Sequence, residues 1–188
     1  DYVFAEGRVH GRGREAKRVF GRDDLGGDIL FYGDRCVMCT RCVRFMNEIE
    51  EKPLLTVVER GNRAVIDTFF DEGLEQSDWA GNVVDICPVG ALVSKDFLHK
   101  ARAWDLDHTS SICPNCSQGC NIELHTRDNL VHRIKPRTNR DVNGHWICDY
   151  GRGRYEWLNR GERLEAPVVH AEGRKTAMGW AAALEALK

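Results

Sequence analysis

Apolar positions along the chain come in short runs with polar breaks. This pattern predicts several brief strands and single amphipathic helices rather than one long element. Ile29 to Tyr32 form an uninterrupted apolar run and read as a short strand. Val43, Met46 and Ile49 recur at helical spacing, which predicts a helix over Arg41 to Glu51 that Pro53 stops. Leu54 to Val58 and Ala64 to Ile66 read as two strands around a Gly61-Asn62 turn. Ser77 is placed to cap a helix over Asp78 to Ile86. Asn121 to Thr126 and Leu130 to Lys135 alternate as a hairpin joined across Arg127-Asp128-Asn129. The Ala-rich stretch Ala177 to Leu187 predicts a last helix. Residues 94–111 lack such a pattern and read as a connector, with Trp104 as a packing residue.

Composition adds bounds. The chain has 188 residues, 42% of them hydrophobic and 30% charged, with a net charge of -2. That suffices for one ordinary domain or two small ones and gives no global reason to expect nucleic acid or lipid as partner. No apolar run approaches the ~20 residues of a membrane span. The richest stretch, Val83 to Val93, is broken by Asp85, Pro88 and Gly90. The chain starts at Asp1 without Met or a signal-type region and stops inside a predicted helix, so it reads as a fragment of a longer protein.

The cysteines change the picture most. Cys36, Cys39 and Cys42 lie within seven residues at two-residue gaps. Three thiols so close cannot pair internally without strain and would leave one over. They read as a loop aiming thiolates at one inorganic centre. The fourth thiolate is assigned to Cys87, which is followed by Pro88 and Gly90, with 44 residues between it and Cys42. Pro88 removes a backbone donor and Gly90 permits a tight turn. A second set, Cys113, Cys116, Cys120 and Cys148, repeats the logic with 27 residues before its last member. Eight cysteines in two quartets without a secretory signal favour metal over disulfides. Structural zinc prefers two separated cysteine pairs, which the first quartet does not offer. The expectation is two [4Fe-4S] clusters. The predicted helix after the first loop would turn its N-terminus, and its free N–H groups, toward the anionic centre.

Other features read blandly. Residues 7–22 carry five Arg and one Lys against one Glu, and their glycines make them a solvated loop or a contact for an acidic neighbour. Arg35, Arg41 and Arg44 surround the first loop, either tuning the centre's potential or simply solvated. His108, His125, His132 and His145 read as surface or packing residues rather than ligands, with His108, just before the second set, the one to check. Gly26-Gly27 and Gly151-Arg152-Gly153 are too sparse for a phosphate loop, and no nucleophile–base pair is visible, so no catalytic residue is assigned.

The segments Asp34 to Phe45 and Gly81 to Leu92 resemble the large iron–sulfur subunit of NADH:quinone oxidoreductase, respiratory complex I, over about Asp1 to Arg160. The second quartet resembles the cluster domain of molybdopterin oxidoreductases. The resemblance implies an α+β chain with a ferredoxin-like [4Fe-4S] region over 1–107, a small β-rich [4Fe-4S] domain over 108–165, and the start of a truncated domain over 166–188. It implies an electron-transfer subunit, relaying electrons from NADH and flavin toward quinone. The first cluster would lie on that path and the second off it. A [2Fe-2S] and a further [4Fe-4S] cluster are expected upstream. Expected partners are the flavin/NADH-binding and quinone-side subunits of the peripheral arm, with no nucleic acid and no direct membrane span. The retained second quartet points to a bacterial source and the cytoplasmic face of the inner membrane. Tyr150 stands where pterin-containing relatives commonly carry Lys or Arg, which weighs against a pterin. The competing identities are the electron-transfer region of an NAD-dependent formate dehydrogenase or NAD-reducing hydrogenase, and a zinc-stabilised interaction module.

Overall fold

A computed structural model describes residues 2–8, 11–13, 18–69, 71, 73–161, 165–171 and 173–187. Part of the basic stretch 7–22 therefore lies outside the described residues. Its described end is anchored: Arg18 donates to the Arg63 carbonyl and covers the Phe20 ring, and Phe20 N–H donates to Asp34.

After a short helix α1 (Tyr2–Glu6), strands β1 (Arg22–Asp24) and β2 (Ile29–Tyr32) lead into the first cysteine loop. Helix α2 (Arg41–Glu48) follows, then the antiparallel pair β3 (Thr56–Val58) and β4 (Val65–Asp67), then α3 (Asn82–Ile86) and β5 (Leu92–Ser94). Strands β1, β2 and β5 form one antiparallel sheet with β2 in the middle. The second region is a three-stranded antiparallel sheet, β6 (Asp107–Ile112), β7 (Asn121–Arg127) and β8 (Leu130–Pro136), followed by α4 (Asp149–Gly153). A hairpin, β9 (Val168–Ala171) and β10 (Arg174–Ala177), precedes α5 (Trp180–Ala186). Mixed helix and antiparallel sheet make this an α+β structure. Among the described residues no helix is long and apolar enough to cross a membrane.

Two separate apolar clusters form. The first gathers Phe31, Phe45, Met46, Leu55, Ile66, Leu74 and Val83 between α2, α3 and the β2 sheet. The second is smaller: Cys113, Ile122, Ile134, Ile147 and Tyr155. Hydrophobic burial thus supports the first region far more than the second.

Several local expectations shift. The buried face of α2 is Cys42, Phe45 and Met46, while Ile49 lies beyond the helix and is exposed. The stripe facing the core is turned by one residue so that it includes a cysteine. The helix predicted over Asp78 to Ile86 is only Asn82–Ile86; Ser77 accepts from Trp79 N–H and caps the preceding turn instead. The expected connector contains β6, an edge strand whose polar sequence shows no alternation because both of its faces are largely exposed. Trp104 is 78% exposed beneath Arg102, so it is not a packing residue. The β7–β8 hairpin turns on Asp128 and Asn129, both at positive φ, as a two-residue turn between twisted strands requires.

Candidate metal centres

The first loop is built by backbone conformation as much as by spacing. Met38 and Thr40 have φ of 52° and 60°, left-handed values that wrap the chain tightly between Cys36 and α2. Met38 N–H donates to Cys36 Sγ at 3.4 Å. The other arm arrives from α3: Cys87 closes that helix, Gly90 at φ 60° turns the chain back, and Ala91 N–H donates to Cys87 Sγ at 3.3 Å. Cys42 is buried, Cys36 and Cys87 are half-buried, and Cys39 is exposed. Burial pushes the Cys42 thiol up to about 11, with further contributions from Cys36 and Cys39. Burial also raises Cys36, followed by Cys87 and Cys39. The four thiols of this quartet therefore share one neighbourhood at the edge of the larger core.

The second quartet converges similarly. Cys113 N–H bonds the Cys120 carbonyl at 2.8 Å and closes the loop, with Gly119 at φ 64°. Cys120 is raised by burial and then by Cys113, Cys148 and Cys116. Cys148 caps α4, its Sγ accepting from Gly151 N–H at 3.3 Å. A Cβ on Gly151 would lie 3.1 Å from Cys113 Sγ and 3.4 Å from Cys148 Sγ. Gly151 is thus a cradle residue, although its Gly-Arg-Gly setting carries no motif that would single it out. The expected result for Gly151→Ala is loss of metal from this quartet with the first quartet's metal retained, read as a halving of bound iron.

The donor set fits an iron–sulfur centre. Thiolates with backbone N–H groups aimed at them suit an anionic iron–sulfur core. The buried Asn115 Nδ2, between Cys113 and Cys116, lacks a partner among the described residues and is a donor that such a core can satisfy.

The arginines and histidines resolve differently. Arg35 donates to the Gly90 carbonyl and covers the Tyr32 ring, bracing the Cys87 turn, while Arg41 and Arg44 are exposed. His125 is a packing residue, buried at 2% exposure. His108, Glu123 and His125 bring donor atoms within 4.8 Å of one another on one face of β6–β7. This group is not a ready cation site. Arg133 Nε donates to His125 Nδ1 at 3.0 Å, which leaves the proton on Nε2, and the two imidazoles stack at 3.9 Å instead of converging edge-on. Burial, then Arg133 and His108, lower His125 to about 4, so it stays neutral.

Comparison with known proteins assigns the class first. Residues 26–93 match the family described as NADH-quinone oxidoreductase subunit 3, ferredoxin-like domain, and residues 106–160 match the molybdopterin oxidoreductase Fe4S4 domain. The chain is thus a tandem of two iron–sulfur domain types. It is 42% identical over 185 residues to the mitochondrial NADH dehydrogenase [ubiquinone] iron-sulfur protein 1 of Solanum tuberosum, covering 98% of this chain and 25% of that protein. It is 38% identical over 180 residues to the NADH-ubiquinone oxidoreductase 75 kDa subunit of Reclinomonas americana, covering 96% and 26%. It is 36% identical over 187 residues to the corresponding NADH-quinone oxidoreductase subunit of Rickettsia felis, covering 100% and 28%. Over the stretch it spans, the chain is similar to the large iron–sulfur (75 kDa) subunit of NADH-quinone oxidoreductase. It spans about a quarter of the length of these relatives.

Proposed function

We propose that this chain is an electron-relay segment of NADH:quinone oxidoreductase, with a [4Fe-4S] cluster on Cys36, Cys39, Cys42 and Cys87 and a second on Cys113, Cys116, Cys120 and Cys148. The observation that carries the reading is the meeting of two distant arms, 36–42 and 87–91, with main-chain N–H groups on the sulfurs. That meeting falls within the stretch similar to the subunit 3 ferredoxin-like domain. A bound cubane supplies reversible one-electron chemistry. The chain's residues hold it, donate hydrogen bonds to its thiolates, and exclude water from its Cys42 side through Phe45 and Met46. On the opposite side Cys39 and Val37 are exposed and Val89 is partly so, which lets a partner's redox centre approach closely. The partners are other peripheral-arm subunits on the flavin and quinone sides, at the cytoplasmic face of a bacterial inner membrane. A [2Fe-2S] and another [4Fe-4S] site belong to the family upstream of this stretch. We take 1–107 and 108–165 as the two cluster regions and 166–188 as the start of a following domain, whose α5 end exposes Trp180, Leu184 and Leu187.

The test is iron, acid-labile sulfide and zinc in anaerobically purified protein. Equal iron and sulfide at about four of each per quartet is the expected result. Colourless protein with stoichiometric zinc and no sulfide overturns the proposal.

A further inference from the structure

We infer that the second centre is assembled across the seam between the two regions, with Asn82 of the first region as the residue that positions Cys148. This rests on the reading that the second quartet holds a cluster. Three of its cysteines, Cys113, Cys116 and Cys120, belong to the loop between β6 and β7. Cys148 does not. It follows an irregular stretch after β8, and the bonds that fix the main chain of its immediate predecessor come from the other region.

Both backbone groups of Ile147 go to the Asn82 side chain. Ile147 N–H donates to Oδ1 at 3.3 Å and its carbonyl accepts from Nδ2 at 2.9 Å. The Asn82 amide is in effect a short piece of strand offered to a segment that has no strand partner. Its orientation is set by its surroundings: Nδ2 also donates to the Trp79 carbonyl at 2.9 Å, and Oδ1 also accepts from Arg152 at 3.0 Å. Asn82 is fully buried, so no water can replace these bonds.

Residues on either side of Cys148 repeat the arrangement. Asp149 N–H donates to the Asp78 carbonyl at 2.7 Å, and Asp149 Oδ1 accepts from Gly81 N–H at 2.8 Å. Arg152, on α4, pairs with Asp85 at 2.8 Å. Trp146 sets its ring edge-on to Phe45 at 4.8 Å and joins the first apolar cluster. The neighbours of Cys148 in sequence, Trp146, Ile147 and Asp149, are thus each held by the first region. The small second core could not fix this arm alone.

The seam also supplies a selective probe. Gly81 has helical φ and ψ of -56° and -21°, which alanine adopts without strain. Yet a Cβ there would meet Asp149 Oδ1 and Arg152 Nε at 2.6 Å. Gly81→Ala therefore leaves the first region's backbone unstrained and wedges the seam open.

The experiment compares parent, Cys116→Ser, Asn82→Ala and Gly81→Ala in the native complex purified anaerobically, by iron content and low-temperature paramagnetic resonance after reduction. Cys116→Ser identifies the second centre's signal. The expected result is that Gly81→Ala and Asn82→Ala lose at least tenfold of that same signal and about four iron atoms per complex, while the first signal keeps its intensity in Gly81→Ala. Parental signals in both variants, or equal loss of both signals in Gly81→Ala, overturn the inference. If Cys116→Ser removes no signal, the cluster reading beneath it fails instead.

Discussion

Cys42→Ala will remove one cubane signal and about four iron atoms per complex, leave the second signal in place, and abolish NADH-to-quinone electron flow. Cys42 is the deepest of its quartet and belongs both to the first turn of α2 and to the larger apolar core. Its neighbours Phe45 and Met46 keep water from that side, so no solvent ligand replaces the missing thiolate there. A cubane held by three cysteines with a dry fourth corner is undercoordinated and is lost or converted. The apolar core itself survives, since alanine at this position removes only a sulfur among large buried side chains, at a cost of about 1–2 kcal/mol. Retention of the second signal follows from the separate apolar cluster that surrounds Cys113. The check is paramagnetic resonance together with turnover in assembled complex. Loss of both signals would show that the two quartets depend on one another or are wrongly partitioned. Retained turnover would remove the first centre from the electron path.

How much of this is readable in the chain depends on the range of the interaction concerned. The eight cysteines stand out because thiolate ligation demands them at short fixed gaps, and in the fold they lie in two neighbourhoods. The β7–β8 hairpin is readable because alternation and an Asp-Asn turn are local signals. Strand β6 is not, since Asp-His-Thr-Ser-Ser has no apolar period and gains its order only by pairing along β7. Asn82 is invisible for a stronger reason. Its role is to bond a backbone 65 residues away, and nothing in Gly-Asn-Val-Val marks an amide as a substitute strand. Gly151 sits in a setting too sparse for a phosphate loop, and the reason for a glycine there is two sulfurs that a Cβ would crowd. His125 reads along the chain as either a surface or a packing residue, and only the fold, where Arg133, Glu123 and the stacked His108 surround it, decides for packing. Local patterns reveal candidate ligands and turns, while the packing that aims them comes only with the fold.

Cys116→Ala is expected to give a different phenotype: the second signal and about four iron atoms per complex lost, NADH-to-quinone turnover within about twofold of the parent, and a marked fall in thermal stability. Turnover is spared because the second centre lies off the route that likeness to the complex I subunit implies. Stability is not spared, for a reason visible in the two cores. Among the described residues fourteen buried side chains form the first apolar cluster and five form the second. A core of five cannot hold a three-stranded sheet with an irregular cysteine loop by burial alone. A metal centre that ties the β6–β7 loop to α4 then acts as the staple, and its binding free energy is folding free energy for this region. Cys116 itself is exposed and contributes little packing, so the loss measures the centre and not the side chain. Removing a few kcal/mol from a unit this small lowers its midpoint by roughly 4–8 °C per kcal/mol, within reach of calorimetry on assembled complex. Abolished turnover in a complex of normal subunit content would place the second centre on the path. An unchanged midpoint would mean that the seam with the first region, through Asn82, Asp149 and Arg152, holds this region without its metal.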